Sequence, residues 1–333
     1  MNTRRLGTSG PEVSAIGLGC MGMSDLYGPA DRAESIATIR AALDAGVTLL
    51  DTGDFYGMGD NEMLIGEALV GRRRDDVRLS VKFGALRDPG RGWHGVDGRP
   101  AAVRNFLAYT LRRLRVDHVD IYRPARLDPA VPIEDTVGAI ADLVSAGWVR
   151  HIGLSEVGVA TLRRAHAVHP IADLQIEYSL VSRGIEDAIL PAARALGVGI
   201  TAYGVLSRGL ISGHWTKERA VERDFRAACP RFQEANLSRN LARVEALRDV
   251  ARRLGATVAQ VAIAWVAAQG ADIVPLVGAR SRDQLAESLG ALALRLTPAD
   301  IDALSRAVPK GSASGDRYPA AQLAHMDSER AGE

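Results

Sequence analysis

The chain has 333 residues, with 41 Lys and Arg against 40 Asp and Glu and 47% hydrophobic residues. A net charge of +1 without a basic block gives no electrostatic footprint for nucleic acid or an anionic membrane, and this apolar content excludes intrinsic disorder. Met1–Gly10 carries no apolar stretch that would signal secretion, and Cys20 and Cys229 form neither a disulfide framework nor a metal site, which together predict a cytoplasmic, reduced protein.

Along the chain, strand-sized apolar runs fall at 13–18, 47–51, 79–83, 118–122, 149–154, 173–177, 199–203 and 273–277. Helical periodicity fills the gaps: Ile36, Ile39 and Leu43 share one face, as do Leu107, Leu111 and Leu114. Gly46, Gly147 and Gly197 each stand just before a strand, where glycine closes a helix in the left-handed conformation. Eight strand–helix units in one chain predict an α/β fold of the (β/α)8, or TIM, barrel type over 1–308, followed by a partly ordered tail over 309–333. The charge-free stretch 255–271 is shorter than the ~20 apolar residues that span a bilayer and reads as a buried helix. Two connections are long: 84–100, which carries Trp93-His94, and 204–236, which carries Ser207-Arg208-Gly209-Leu210. Both follow strand ends on the face where barrels build their active sites.

Gly17-Leu18-Gly19-Cys20-Met21-Gly22 matches a dinucleotide-binding GxGxxG motif, which needs a helix to open immediately behind it. Gly28-Pro29 prevents that, so the segment reads as a strand-end turn of the barrel. More informative are Asp51, at the end of an apolar strand, Tyr56 five residues on, and Lys82 inside another apolar strand. Charges within core strands are costly unless paired. From spacing alone a structural ion pair and a catalytic pair stand level. In the catalytic reading, Lys82 held by Asp51 lowers the Tyr56 phenol from its usual ~10 so that Tyr56 donates a proton near neutral pH. Carbonyl reduction needs such a donor, because hydride arriving at the carbonyl carbon creates an alkoxide.

These residues resemble the aldo-keto reductase family. Asp51-Thr-Gly-Asp-Phe-Tyr56-Gly, Lys82, Gly147-Trp-Val-Arg-His-Ile-Gly-Leu-Ser155, Gln175-Ile-Glu-Tyr178, Ala202-Tyr203-Gly204 and Val277-Gly-Ala-Arg280 match its motifs in order. The resemblance implies NADP(H)-dependent reduction of a small-molecule carbonyl, with Tyr56 as acid, Lys82 as its modulator and Asp51 as partner of Lys82. It also implies a cofactor site: Cys20, Met21 and Asp51; Ser155, Glu156 and Gln175 near the nicotinamide; Tyr203 stacked on its face; Gly204 and Leu206, Ser207, Arg208 and Gly209 as a strap over the pyrophosphate; and Gly278, Arg280, Gln284, Glu287 and Ser288 at the adenosine end. An arginine fork at Arg280 favours a 2′-phosphate.

One position departs from the family. The histidine that usually hydrogen-bonds the substrate carbonyl aligns with Ala125, whose methyl cannot donate. Arg123, Arg126, His94 or a water is expected to replace it, and Trp93 and His94 are expected to border a partly aromatic pocket suited to pyridoxal, a sugar or a quinone. The alternative is an NADPH-binding auxiliary protein with weak or no catalysis, because potassium-channel beta subunits resemble this family and also lack the histidine.

Overall fold

A computed structural model describes residues 1–24, 26–218 and 224–330; position 25, part of the long 204–236 connection and the last three tail residues lie outside the described residues. Eight parallel strands close a barrel: β1 (Gly17–Gly19), β2 (Leu49–Gly53), β3 (Arg78–Phe83), β4 (Val119–Pro124), β5 (Val149–Ser155), β6 (Ile171–Glu177), β7 (Gly199–Tyr203) and β8 (Ile273–Gly278), with β8 pairing back onto β1. The predicted (β/α)8 fold is therefore the observed one. Its strands are buried on both faces, which is why they read as continuous apolar runs. Helices α1 (Arg32–Asp44), α2 (Asp60–Ala68), α3 (Pro100–Leu114), α4 (Ile133–Ser145) and α5 (Val159–Val168) follow the first five strands in turn.

Local chemistry fixes the helix ends. Asp31 caps α1 by accepting from the Glu34 N–H at 2.7 Å. Gly46, Gly147 and Gly197 adopt φ of +88°, +84° and +69°, the left-handed helix exits expected of them. The charge-free stretch contains the buried helix Val258–Ala268, opened by a Thr257/Gln260 capping box. No α-helix starts among the described residues of the Gly-rich segment; α1 begins only at Arg32.

The first predicted strand needs correction. Residues 13–18 cross two elements: Glu12–Ser14 pairs antiparallel with Thr3–Arg5, and after a bend the chain enters the barrel at Gly17. The hairpin closes the barrel floor, where Leu6 and Val13 pack on Leu49, Ile121 and Val274 from the strand starts. With that end sealed, the opposite mouth, at the C-terminal ends of the strands, is left for chemistry.

Candidate active site

Two residues apart on β3, Ser80 and Lys82 point to the same side, into the barrel, as does Asp51 on β2. Lys82 Nζ donates to Asp51 Oδ1, while the Ser80 hydroxyl (2.8 Å) and the Gln175 amide (2.7 Å) donate to Oδ2. All four side chains are buried, so the ion pair sits in a low-dielectric layer with its acceptors satisfied. Tyr56 lies in the turn after β2, buried, with Lys82 Nζ 5.2 Å from its ring centre. Burial pushes its phenol well above the usual 10 and the Asp51 charge adds to this, while Arg126 is the cation that opposes it. The expected lowering by Lys82 is not found: its Nζ is committed to Asp51, and burial disfavours the charged form of both Tyr56 and Lys82.

Around Tyr56 the candidate substrate residues separate. Ala125 is buried, its N–H bonded to the Phe83 carbonyl at 2.8 Å. Arg123 is not the substitute donor, because it is 0% exposed and its guanidinium bonds Asp173 (3.0 Å) and Ser80 (2.8 Å) within the barrel. His94 is not one either: on the hairpin Ala85–Arg87/Trp93–Val96 it faces solvent and pairs with Asp88 at 2.6 Å. Trp93 is 46% exposed and packs edge-on to Phe55, 5.7 Å between ring centres, and Phe55 in turn packs on Tyr56 at 4.7 Å. Arg126 remains. It bonds the Ala125 carbonyl (2.6 Å) through one nitrogen, forms no ion pair among the described residues, and acts electrostatically on Tyr56, Tyr203 and Glu156.

On the expected cofactor side, Ser155 is buried at the end of β5, but Gln175 gives its amide to Asp51 rather than holding it open. Glu156 is occupied as well: its oxygens accept from the Tyr203 hydroxyl (2.7 Å), the Glu177 N–H (3.0 Å), both Arg317 Nη atoms (2.9 and 2.6 Å) and the Ser328 hydroxyl (2.6 Å). Burial works against ionisation of Glu156, but the charge and hydrogen bonds of Arg317 overcome it and hold the carboxyl at about 2. The Cys20 thiol is buried and donates to the Leu18 carbonyl, so it does not face the site, and Met21 beside it is half-buried.

After β7, Gly204 has φ +65°, and a Cβ there would meet Glu177 at 3.0 Å. Leu206 leads into a turn in which Ser207, Arg208 and Gly209 all have positive φ (46°, 57° and 93°), a strain concentrated where a strap was expected. The Arg208 guanidinium pairs with Glu177 at 3.2 Å, yet its buried Nη1 has no hydrogen-bond partner among the described residues. Glu156 and Glu177 meet Arg126, Arg208, Arg231 and Arg317 in this crevice, and Glu329 and Asp316 add negative charge beside Arg317 and Arg231. Gly278 is exposed at the end of β8, where an added Cβ would come no closer than 4.0 Å to the Gly19 carbonyl. Arg280 donates Nη1 to the Tyr27 (2.9 Å) and Pro29 (3.3 Å) carbonyls, and its own N–H bonds the Gln284 side chain. Arg282 is neutralised by Glu34, Glu287 pairs with His214, and Ser288 bonds the Gln284 carbonyl. An orphaned guanidinium nitrogen and an uncovered glycine beside this cluster of arginines fit an extended anionic ligand.

Sequence reasoning missed Tyr27, Arg317 and Tyr318. The first lies where the segment between β1 and α1 meets the 204–236 connection: the Leu26 C=O accepts from the Phe225 N–H (2.9 Å), and Arg226 lies over the Tyr27 ring. The other two reach the site from the tail, where Tyr318 meets the Tyr203 hydroxyl at 2.9 Å. Their signal was an Arg-Tyr pair bracketed by Gly315 and Pro319 in an otherwise Ala- and Ser-rich run.

The sequence profile of the aldo/keto reductase family matches residues 15–308. A Glycine max protein called probable aldo-keto reductase 1 is 42% identical over 317 residues, 94% of this chain and 91% of that one. The solved glycerol dehydrogenase of Gluconobacter oxydans superimposes with a TM-score of 0.83 at 30% identity, over 92% of this chain and 96% of its own. An aldo-keto reductase of Bacillus halodurans, solved in its holo form, gives 0.78 at 25% identity, over 99% and 100%.

Proposed function

This chain belongs to the aldo/keto reductase family, and from that premise we propose that it reduces an aldehyde or ketone to the alcohol with NADPH, Tyr56 supplying the proton. The observation that carries this reading is a buried Tyr56 at the barrel mouth, its ring centre 5.2 Å from Nζ of the Lys82 that pairs with Asp51. Bound nicotinamide would supply hydride to the carbonyl carbon. Tyr56 holds its proton until charge develops on the carbonyl oxygen and then gives it up, while Lys82 is fixed beside the ring by Asp51, whose charge opposes the effect of burial on the ammonium. Arg126, held by the Ala125 carbonyl through one nitrogen and acting electrostatically on Tyr56, would stand in for the absent imidazole. The Tyr203 face, the turn at Ser207, Arg208 and Gly209, Gly278 and Arg280 would hold the dinucleotide.

NADPH consumption by the purified protein across a panel of aldehydes and ketones, with alcohol product identified, tests the reading. If Arg126 fills the gap at Ala125, Arg126→Met lowers kcat/KM by a factor of roughly 10² to 10³ and Ala125→His in the wild type adds little. A rise of that size in Ala125→His alone would mean that nothing fills the gap.

Preference for NADP(H) over NAD(H) rests on Arg280. Its guanidinium is half committed to the Tyr27 and Pro29 carbonyls, which leaves Nε and Nη2 for a phosphate while fixing the arm that carries them. Arg280→Met is expected to weaken NADPH binding by roughly 10- to 100-fold in a fluorescence titration and to leave NADH nearly unchanged. Equal losses for both would place the arginine outside the 2′-phosphate site.

A second reading, an auxiliary protein that binds NADPH and turns over poorly, is favoured by the methyl group at Ala125 alone. Tight NADPH binding without turnover on any carbonyl is its signature.

A further inference from the structure

The tail folds back over the barrel mouth in two segments that grip each other and Glu156. In the first, Asn240 and Ser314 exchange hydrogen bonds, and Arg231 bonds the Gly315 carbonyl, which sets the path of the chain into Arg317 and Tyr318. In the second, Asp327 accepts from the Gly158 N–H at 2.8 Å and the Ser328 N–H bonds the Glu156 carbonyl at 3.1 Å. Arg317 joins the segments by pairing with Glu329 (2.7 Å) as well as with Glu156. Residues 156–158 are therefore held by the tail through backbone and side chain together.

Glu156 needs holding. Its φ is +53°, a left-handed conformation that a non-glycine residue keeps only when its surroundings impose it. Its buried carboxylate also requires a compensating charge, and Arg317 supplies that charge in a bidentate fork. The Tyr203 hydroxyl is in turn gripped from two sides, by Glu156 and by Tyr318, and these bonds fix the tilt of the aromatic ring without covering its face by any contact of their own. Arg208, with its orphaned Nη1, lies 4.2 Å over the Tyr318 ring, so the same tail residue also positions the cation of the expected pyrophosphate strap.

We infer that Arg317 and Tyr318 are positioning residues for the cofactor site: the docked tail sets the orientation of Tyr203 and Arg208, and tail docking and dinucleotide binding strengthen each other. The inference rests on the cofactor reading above. Reciprocity follows from linkage, since a ligand that binds better to the docked arrangement must stabilise docking by the same factor.

The test measures NADPH release by stopped-flow fluorescence and protease cleavage after tail residues, in the full chain with and without NADPH. Tyr318→Phe, which keeps the ring and loses only the hydroxyl, is expected to speed release several-fold. Arg317→Ala is expected to speed it roughly 10- to 100-fold and to expose the tail to protease, with Arg317→Lys intermediate because an ammonium cannot fork. Since Arg317→Ala leaves Glu156 buried without its counter-charge, Arg317→Ala/Glu156→Gln is measured alongside; it should fold normally and still release quickly. NADPH should protect the wild-type tail from cleavage. Wild-type release rates in Tyr318→Phe and in the double variant, or a tail whose cleavage ignores NADPH, would overturn the inference while leaving the cofactor reading intact. Failure of the wild type to bind NADPH would instead remove the reading beneath it.

Discussion

Tyr56→Phe is expected to cut kcat for carbonyl reduction by roughly 10²- to 10⁴-fold, the range for loss of a positioned general acid, with NADPH affinity and melting temperature close to those of the wild type. The substitution removes one oxygen and leaves the ring where it packs on Phe55. The pH profile of the wild type sharpens the expectation. An acid catalyst works only while protonated, and burial raises the Tyr56 phenol well above its ordinary value. The rate of reduction should therefore hold level through neutrality and up to about pH 9, falling only in more alkaline solution. A fall already at neutral pH, absent from Tyr56→Phe, would mean that in the working site a cation brings the phenol down, as the sequence alone suggested for Lys82.

The second large effect concerns Lys82. Lys82→Met leaves the Asp51 carboxylate buried with only the Ser80 and Gln175 donors, and breaking a buried pair from one side costs about 3–5 kcal/mol. We expect a fall in melting temperature on the order of 10 °C together with loss of turnover. Asp51→Asn/Lys82→Met, which removes both charges, should recover most of the stability and none of the activity. That split separates the structural contribution of the pair from its contribution to catalysis, and a double-mutant cycle gives the coupling directly. If both variants recover turnover, the pair is structural only.

The barrel was legible because its signals are local. Each strand is a short apolar run and each of three helix exits is a glycine with positive φ, so rhythm and punctuation agree along the chain. Register at the first strand was not legible: an apolar run carries no mark where a floor hairpin ends and a barrel strand begins. Ser80 could have been found from Lys82, since alternation puts residues two apart on one face. Arg123 was misassigned for a different reason. Its partner Asp173 sits 50 positions away on β6, and nothing in the linear pattern pairs those two interior positions. The same holds for Arg317 and Glu156, 161 positions apart. Read as a strand-end residue, Glu156 seemed open to a ligand; in the fold its acceptors are taken up by the tail.

The central claim is that hydride transfer to a carbonyl takes place here with Tyr56 as the proton source. It is tested most directly in one turnover with NADPH deuterated at the transferable position, wild type beside Tyr56→Phe, and the carbonyl that the panel shows to be reduced fastest. The account predicts one deuterium on the former carbonyl carbon in the wild-type product, and a first-turnover rate at least 10²-fold lower in Tyr56→Phe. An alcohol formed at the same rate in both proteins, or without deuterium on that carbon, would contradict it.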